Sequence, residues 1–118
     1  MHFVAKTAVA FFALTAFAYA DPFDVYYTNT LQFTTAKGVV IKVLANKDGT
    51  WTSTSTDSKN PKGSGNWVSI GTWTCVTDSA MPKQAPNCMA TVVRKVGDKW
   101  STVEADKSVT QATITAGR

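Results

Sequence analysis

From Asp21 onward, turn-forming residues recur at intervals of roughly ten positions, and the stretches between them are rich in Thr, Val, Trp and Tyr. This rhythm constrains the fold more than any other feature of the chain. No segment after residue 20 keeps apolar residues at a helical spacing. The pattern predicts strands over about Val25–Thr34, Val39–Leu44, Thr50–Thr56, Ser64–Ile70, Thr72–Thr77, Cys88–Lys95, Trp100–Glu104 and Ser108–Thr115. Between them stand the turns Ala36-Lys37-Gly38, Asn46-Lys47-Asp48-Gly49, Val96-Gly97-Asp98 and Ala105-Asp106-Lys107, a bend at Gly71, and two longer loops, Asp57–Gly63 and Val76–Asn87. Short sequential links favour antiparallel neighbours. The expected fold is therefore all-β: a small antiparallel meander of about eight strands, closing into a barrel or folding into a sandwich. A transmembrane barrel is disfavoured, because most of these strands fall short of the roughly 9–11 residues needed to cross a bilayer.

The first twenty residues have a different character. Lys6 ends a short charged head, Thr7–Ala18 is an uncharged apolar run, and Ala18-Tyr19-Ala20 supplies a small-x-small cleavage site just before Asp21-Pro22. That arrangement predicts a signal peptide over residues 1–20 and a single domain over residues 21–118. The apolar run is too short for a spanning helix, which needs about 20 such residues. The expected location is outside the cytoplasm, in the periplasm or the extracellular medium, with nothing crossing the membrane after cleavage.

Removing residues 1–20 leaves 98 residues, with 11 Lys and Arg against 8 Asp and Glu, a net charge of +3. The basic residues are dispersed along the chain, whereas a nucleic-acid surface would cluster them on one face or element. Nucleic acid is therefore not an expected partner. A mild positive charge usually serves solubility, and it also suits anionic envelope surfaces.

Cys75 and Cys88 are the only cysteines. In an exported chain an isolated pair reads first as a disulfide, here tying the base of the proline-containing loop. Metal binding lacks companion ligands, and a redox pair is usually C-x-x-C. Such a bridge contributes roughly 3 kcal/mol on the chain-entropy model, a large share for a domain this small.

Polarity assigns some faces. Lys42 points the set Val39, Ile41 and Val43 inward, and Leu31 and Phe33 share a face opposite Thr30 and Gln32. In Ser64–Ile70, Trp67 lies opposite Val68 and Ile70, which implies a bulge or an exposed aromatic. Gly-x-Trp occurs three times, at Gly49–Trp51, Gly65–Trp67 and Gly71–Trp73, with a looser copy at Gly97–Trp100. Gly allows the turn that starts a strand, and Trp then buries a large area near the barrel end. Trp51 and Trp73 are expected to be structural. Trp67, Trp51 and Trp73 are also the candidates for an aromatic binding surface, with Trp67 the first of them.

Gly-x-Trp resembles the motif of lipocalin-like barrels, in which an Arg stacks on the indole; Arg94 or Arg118 would take that part. More broadly, DGTW at Asp48–Trp51, SGNW at Ser64–Trp67, Cys75, PNC at Pro86–Cys88, VGDKW at Val96–Trp100 and the final Gly117-Arg118 resemble a group of short exported bacterial β-domain proteins of uncharacterised function. The resemblance rests on turns, Trp and Cys, so it implies fold and export and transfers no active site. Ile70-Gly71-Thr72-Trp73 departs from it, where a more polar turn is expected.

Little in the chain points to catalysis. His2 is the only histidine and lies in the leader, which removes Ser-His-Asp and Cys-His chemistry and the commonest zinc sites from the domain. Its carboxylates stand mostly in turns, where Asp bonds its own backbone. Glu104 and Asp106 are the nearest approach to an acid–base pair. No catalytic residue, metal or cofactor is expected. The expected function is that of an exported non-enzymatic envelope protein, a binding or interaction module. The alternative is a small-barrel inhibitor of a secreted protease that inserts Asp21–Asp24. Candidate partners are accordingly an envelope component or a secreted protease.

Overall fold

The computed structural model describes residues 21–118. The expected leader and its cleavage site after Ala20 lie outside the described residues. One helical turn, α1 (Asp24–Tyr27), precedes eight strands: β1 (Thr30–Thr34), β2 (Val40–Ala45), β3 (Thr50–Ser55), β4 (Lys62–Ile70), β5 (Trp73–Asp78), β6 (Asn87–Ala90), β7 (Lys99–Val103) and β8 (Val109–Thr115). All pairings are antiparallel within one sheet of order β6-β5-β4-β3-β2-β1-β8-β7, curled into a half-barrel. The all-β meander is thus present as a single open sheet rather than a sandwich. The seam lies between β6 and β7, while β8 returns to pair with β1.

Most strand ends lie within two residues of the sequence expectation, β4 starting at Lys62 inside the expected loop, and two boundaries differ by more, each for a physical reason. Val25–Tyr27 is helical rather than strand, because Asp21 Oδ1 accepts the Phe23 N–H at 2.8 Å and turns the chain, and the Phe23 ring then rests on Trp67 with centroids 4.8 Å apart. The strand expected over Cys88–Lys95 stops at Ala90. Its partner β5 begins at Trp73, so after Ala90 only one more bond forms, from Thr91 N–H to Thr72 O at 2.8 Å.

Register sorts the side chains into two faces, since paired residues point the same way. The inner face carries Leu31, Phe33, Ile41 and Val43, in register with Ile114 and Ala112, which are 1% and 2% exposed. Lys42 points outward, as its polarity required. Trp51, Trp67 and Trp100 follow the same inner parity, and α1 covers part of that face through Phe23 and Tyr27, both against Trp67.

The glycines of the repeated motif act in two ways. Gly49 and Gly71 sit at φ +87° and +59°, where only glycine is unstrained. Gly71 opens a two-residue turn between the paired Ile70 and Trp73, so glycine geometry alone suffices there and the apolar flanks do not matter. Gly65 is different. It lies inside β4, and no turn starts there; its missing side chain makes room for the Trp51 ring.

Candidate interaction surface

The strongest departure from expectation concerns Trp73. It was expected to be buried, yet it is 53% exposed, on the outer face, next to Ile70 at 62% and Val68 at 50%. The pairing explains this. Val68, Cys75 and Cys88 form one transverse row and Ile70, Trp73 and Ala90 the next, all with outer parity. No bulge interrupts β4 against β5, so the alternation that turns Trp67 inward turns Val68 and Ile70 outward.

The surface ends at β6, a sheet edge whose four residues are all exposed. The Cys75–Cys88 disulfide joins β5 to β6 at directly opposed positions and closes a separation of 13 residues. It therefore pins the edge strand beside the apolar patch. Thr74 and Thr91 add a hydroxyl pair at 2.7 Å. The result is a row of unpaired backbone groups beside a large exposed aromatic, an arrangement an extended partner segment can use.

The other candidate tryptophans are committed to the interior. Trp51 donates Nε1–H to Thr77 O at 3.0 Å, and Trp67 donates its own to Asn46 O at 3.1 Å. Both indoles are half-buried. Of the three residues proposed for an aromatic surface, the structure exposes only Trp73. The sequence signal was available in the alternation of β4, which places Val68 and Ile70 opposite Trp67.

Arg94 stacks on Trp100, its guanidinium carbon 3.8 Å from the ring centroid, as the lipocalin-like motif implied for one of the two arginines. Arg118 does something else: its guanidinium donates to Asn46 Oδ1 at 3.1 Å and Ala45 O at 2.9 Å.

Most of the carboxylates are occupied locally. Asp21, Asp48, Asp57, Asp78, Asp98 and Asp106 each accept a bond from a backbone N–H no more than three residues away. Bonds from the Thr50 hydroxyl and N–H hold Asp48 below the usual carboxylate range, and Ser108 does the same for Asp106, with help from Lys37. The Glu104 and Asp106 pair therefore divides, Asp106 shaping its turn and Glu104 accepting from the Thr102 hydroxyl at 3.3 Å. Among the described residues no three His, Cys, Asp or Glu side chains cluster as a metal site, and no helix is long and apolar enough to cross a membrane.

Compared with protein-family models, with curated proteins and with solved structures, the chain matches none.

Proposed function

We propose that this is an exported, non-enzymatic envelope protein that binds a protein partner along the outer surface formed by Val68, Ile70 and Trp73 at the β6 edge. The observation that carries this is the exposure of Trp73 and Ile70 beside an unpaired strand. Large aromatics left outside a small domain, next to free backbone donors and acceptors, mark recognition surfaces. The disulfide and the leader-like residues 1–20 support an oxidising compartment. Aspartates tied into their own turns support a binding role over acid–base chemistry.

The alternative, a protease inhibitor that inserts Asp21–Asp24, would require that segment to leave its present anchorage. Phe23 lies against Trp67, and Tyr27 Oη donates to Asp21 Oδ2 at 3.2 Å. Nothing in this arrangement favours insertion.

The test is site-specific photo-crosslinking in cells. A crosslinker at position 73 should yield one discrete protein adduct, which Ile70→Asp abolishes, while a crosslinker at Gln111 on the same face yields none. Equal adducts from positions 73 and 111, or none from 73, would remove the surface as a partner site. Mass spectrometry of the exported fraction should find Asp21 as the N-terminus.

A further inference from the structure

The strand lysines are not scattered once the strands are paired. Lys99 opposes Thr113, Thr113 opposes Gln32, Gln32 opposes Lys42, Lys42 opposes Thr54, and Thr54 opposes Lys62. Six adjacent strands thus contribute one residue each to a single transverse row on the outer face, reading Lys-Thr-Gln-Lys-Thr-Lys. At a strand spacing near 4.8 Å, Lys42 stands about 10 Å from Lys62 and about 14 Å from Lys99 along the sheet. All three lysines are exposed. The strands carry one acidic residue, Asp78, and its pairing with Gly65 gives it inner parity. The outer strand surface is therefore wholly cationic among its charged groups.

Beside Lys42 the row opens into a hollow of 180 Å³ bordered by Thr30, Leu44, Thr52, Thr54 and Arg118. The Arg118 guanidinium is held in place by Ala45 O and Asn46 Oδ1, both uncharged acceptors. A guanidinium has five N–H donors, and these two bonds leave others for a ligand. Thr52 and Thr54 add hydroxyls on the same side.

We propose that the row Lys99–Lys42–Lys62 is a binding track for a linear anionic polysaccharide, with one acidic group of the polymer seated in the hollow between Lys42 and Arg118. A single file of charges fits a linear polyanion. The Thr113, Gln32 and Thr54 side chains between the lysines are hydrogen-bonding groups suited to sugar hydroxyls. The row has no aromatic on which a nucleic-acid base could stack. A bilayer is disfavoured because the apolar surface that would insert, around Ile70, is about 26 Å along β4 from Lys62, so the lysine row does not flank it.

The experiment measures binding of the purified protein to polygalacturonate, with dextran as the neutral polymer, by affinity electrophoresis across a salt series. The triple variant Lys42→Gln, Lys62→Gln, Lys99→Gln should lose at least about tenfold in affinity and show a shallower salt dependence. The triple variant Lys47→Gln, Lys59→Gln, Lys83→Gln makes the same charge change in loops and should retain binding within about twofold. Arg118→Gln alone should weaken binding when measured well below its melting transition. Equal loss in both triple variants would reduce the effect to net charge and overturn the track. So would absence of binding to polygalacturonate, or stronger binding to phosphatidylglycerol vesicles than to the polymer. Crosslinking from position 73 is independent of this outcome.

Discussion

The Trp51 indole occupies the space that a Cβ on Gly65 would need: such an atom would stand 2.7 Å from two ring carbons and would also run into Thr77 O. A Cβ on Gly63 would likewise stand 3.5 Å from the same ring, and the indole donates its Nε1–H to Thr77 O at 3.0 Å. One aromatic on β3 thus locks β4 and β5 together across a pair of glycines. The half-barrel has few fully buried side chains among the described residues, so this contact is a large part of what holds its shape.

Gly65→Ala should therefore destabilise by at least about 2 kcal/mol, since neither the carbonyl nor the ring can retreat freely. Trp51→Ala should cost about 3 kcal/mol. The double variant should fall short of the sum, because removing the ring relieves part of the clash, while the Thr77 contact keeps Gly65→Ala harmful on its own. Denaturant unfolding of the three variants checks this, and strict additivity would contradict the packing described.

Trp73→Ala should behave in the opposite way, with stability unchanged within about 0.5 kcal/mol, as for an ordinary surface substitution. Iodide should quench Trp73 strongly and Trp51 and Trp67 weakly, which single-tryptophan variants can resolve. A loss as large as that of Trp51→Ala would return Trp73 to the core.

The eight strands were legible because each hairpin carries its own turn chemistry, and the inward set Ile41 and Val43 was legible from one charge at Lys42. Two features were not. Val25-Tyr26-Tyr27 has strand-forming residues, and the Asp21 cap together with the long-range contacts of Phe23 and Tyr27 with Trp67 holds the chain as a helical turn. The three Gly-x-Trp copies look equivalent in sequence, but strand parity sends Trp51 and Trp67 inward and Trp73 outward. Parity depends on where the Gly71 turn ends β4, which a local motif does not encode. The lysine row is illegible for the same reason: its members are far apart in sequence and meet only through register.

Releasing the disulfide tests how far β6 depends on it. Cys75→Ser with Cys88→Ser should lower stability by about 3 kcal/mol through the freed loop. Hydrogen exchange should rise first at Asn87–Ala90, because this short edge strand pairs on one side only. Protection unchanged in β6 would mean that the β5 ladder alone holds it.

The loop Glu104–Ser108 repeats the geometry of Asn46–Thr50. In each, the N–H of the fourth residue bonds the first carbonyl, and an Asp accepts from the N–H and hydroxyl of the fifth. The fourth residue is Gly49 in one loop and Lys107, at φ +69°, in the other. Lys107→Gly should stabilise the domain by about 0.5–1 kcal/mol, the left-handed strain relieved exceeding the added freedom of the unfolded chain. Lys107→Val should destabilise it. Melting curves of the two variants decide the point.

The N-terminal turn should register in alkaline titration. Burial, then the hydrogen bond to Asp21, then the charges of Asp21 and Asp24 push the Tyr27 phenol up to about 12. An unperturbed tyrosine titrates near 10. Because the folded value is raised, the stabilisation linked to Tyr27 is fully present below about pH 10. It is lost as pH rises through about 12. Burial also raises the Tyr26 phenol, so tyrosinate absorbance should show a late rise whose last part Tyr27→Phe removes and Asp21→Asn moves to lower pH. Asp21→Asn should also loosen α1, since the same side chain accepts the Phe23 N–H. A late step unaffected by Asp21→Asn would show that burial and the Asp24 charge, not the Asp21 contact, hold the phenol up.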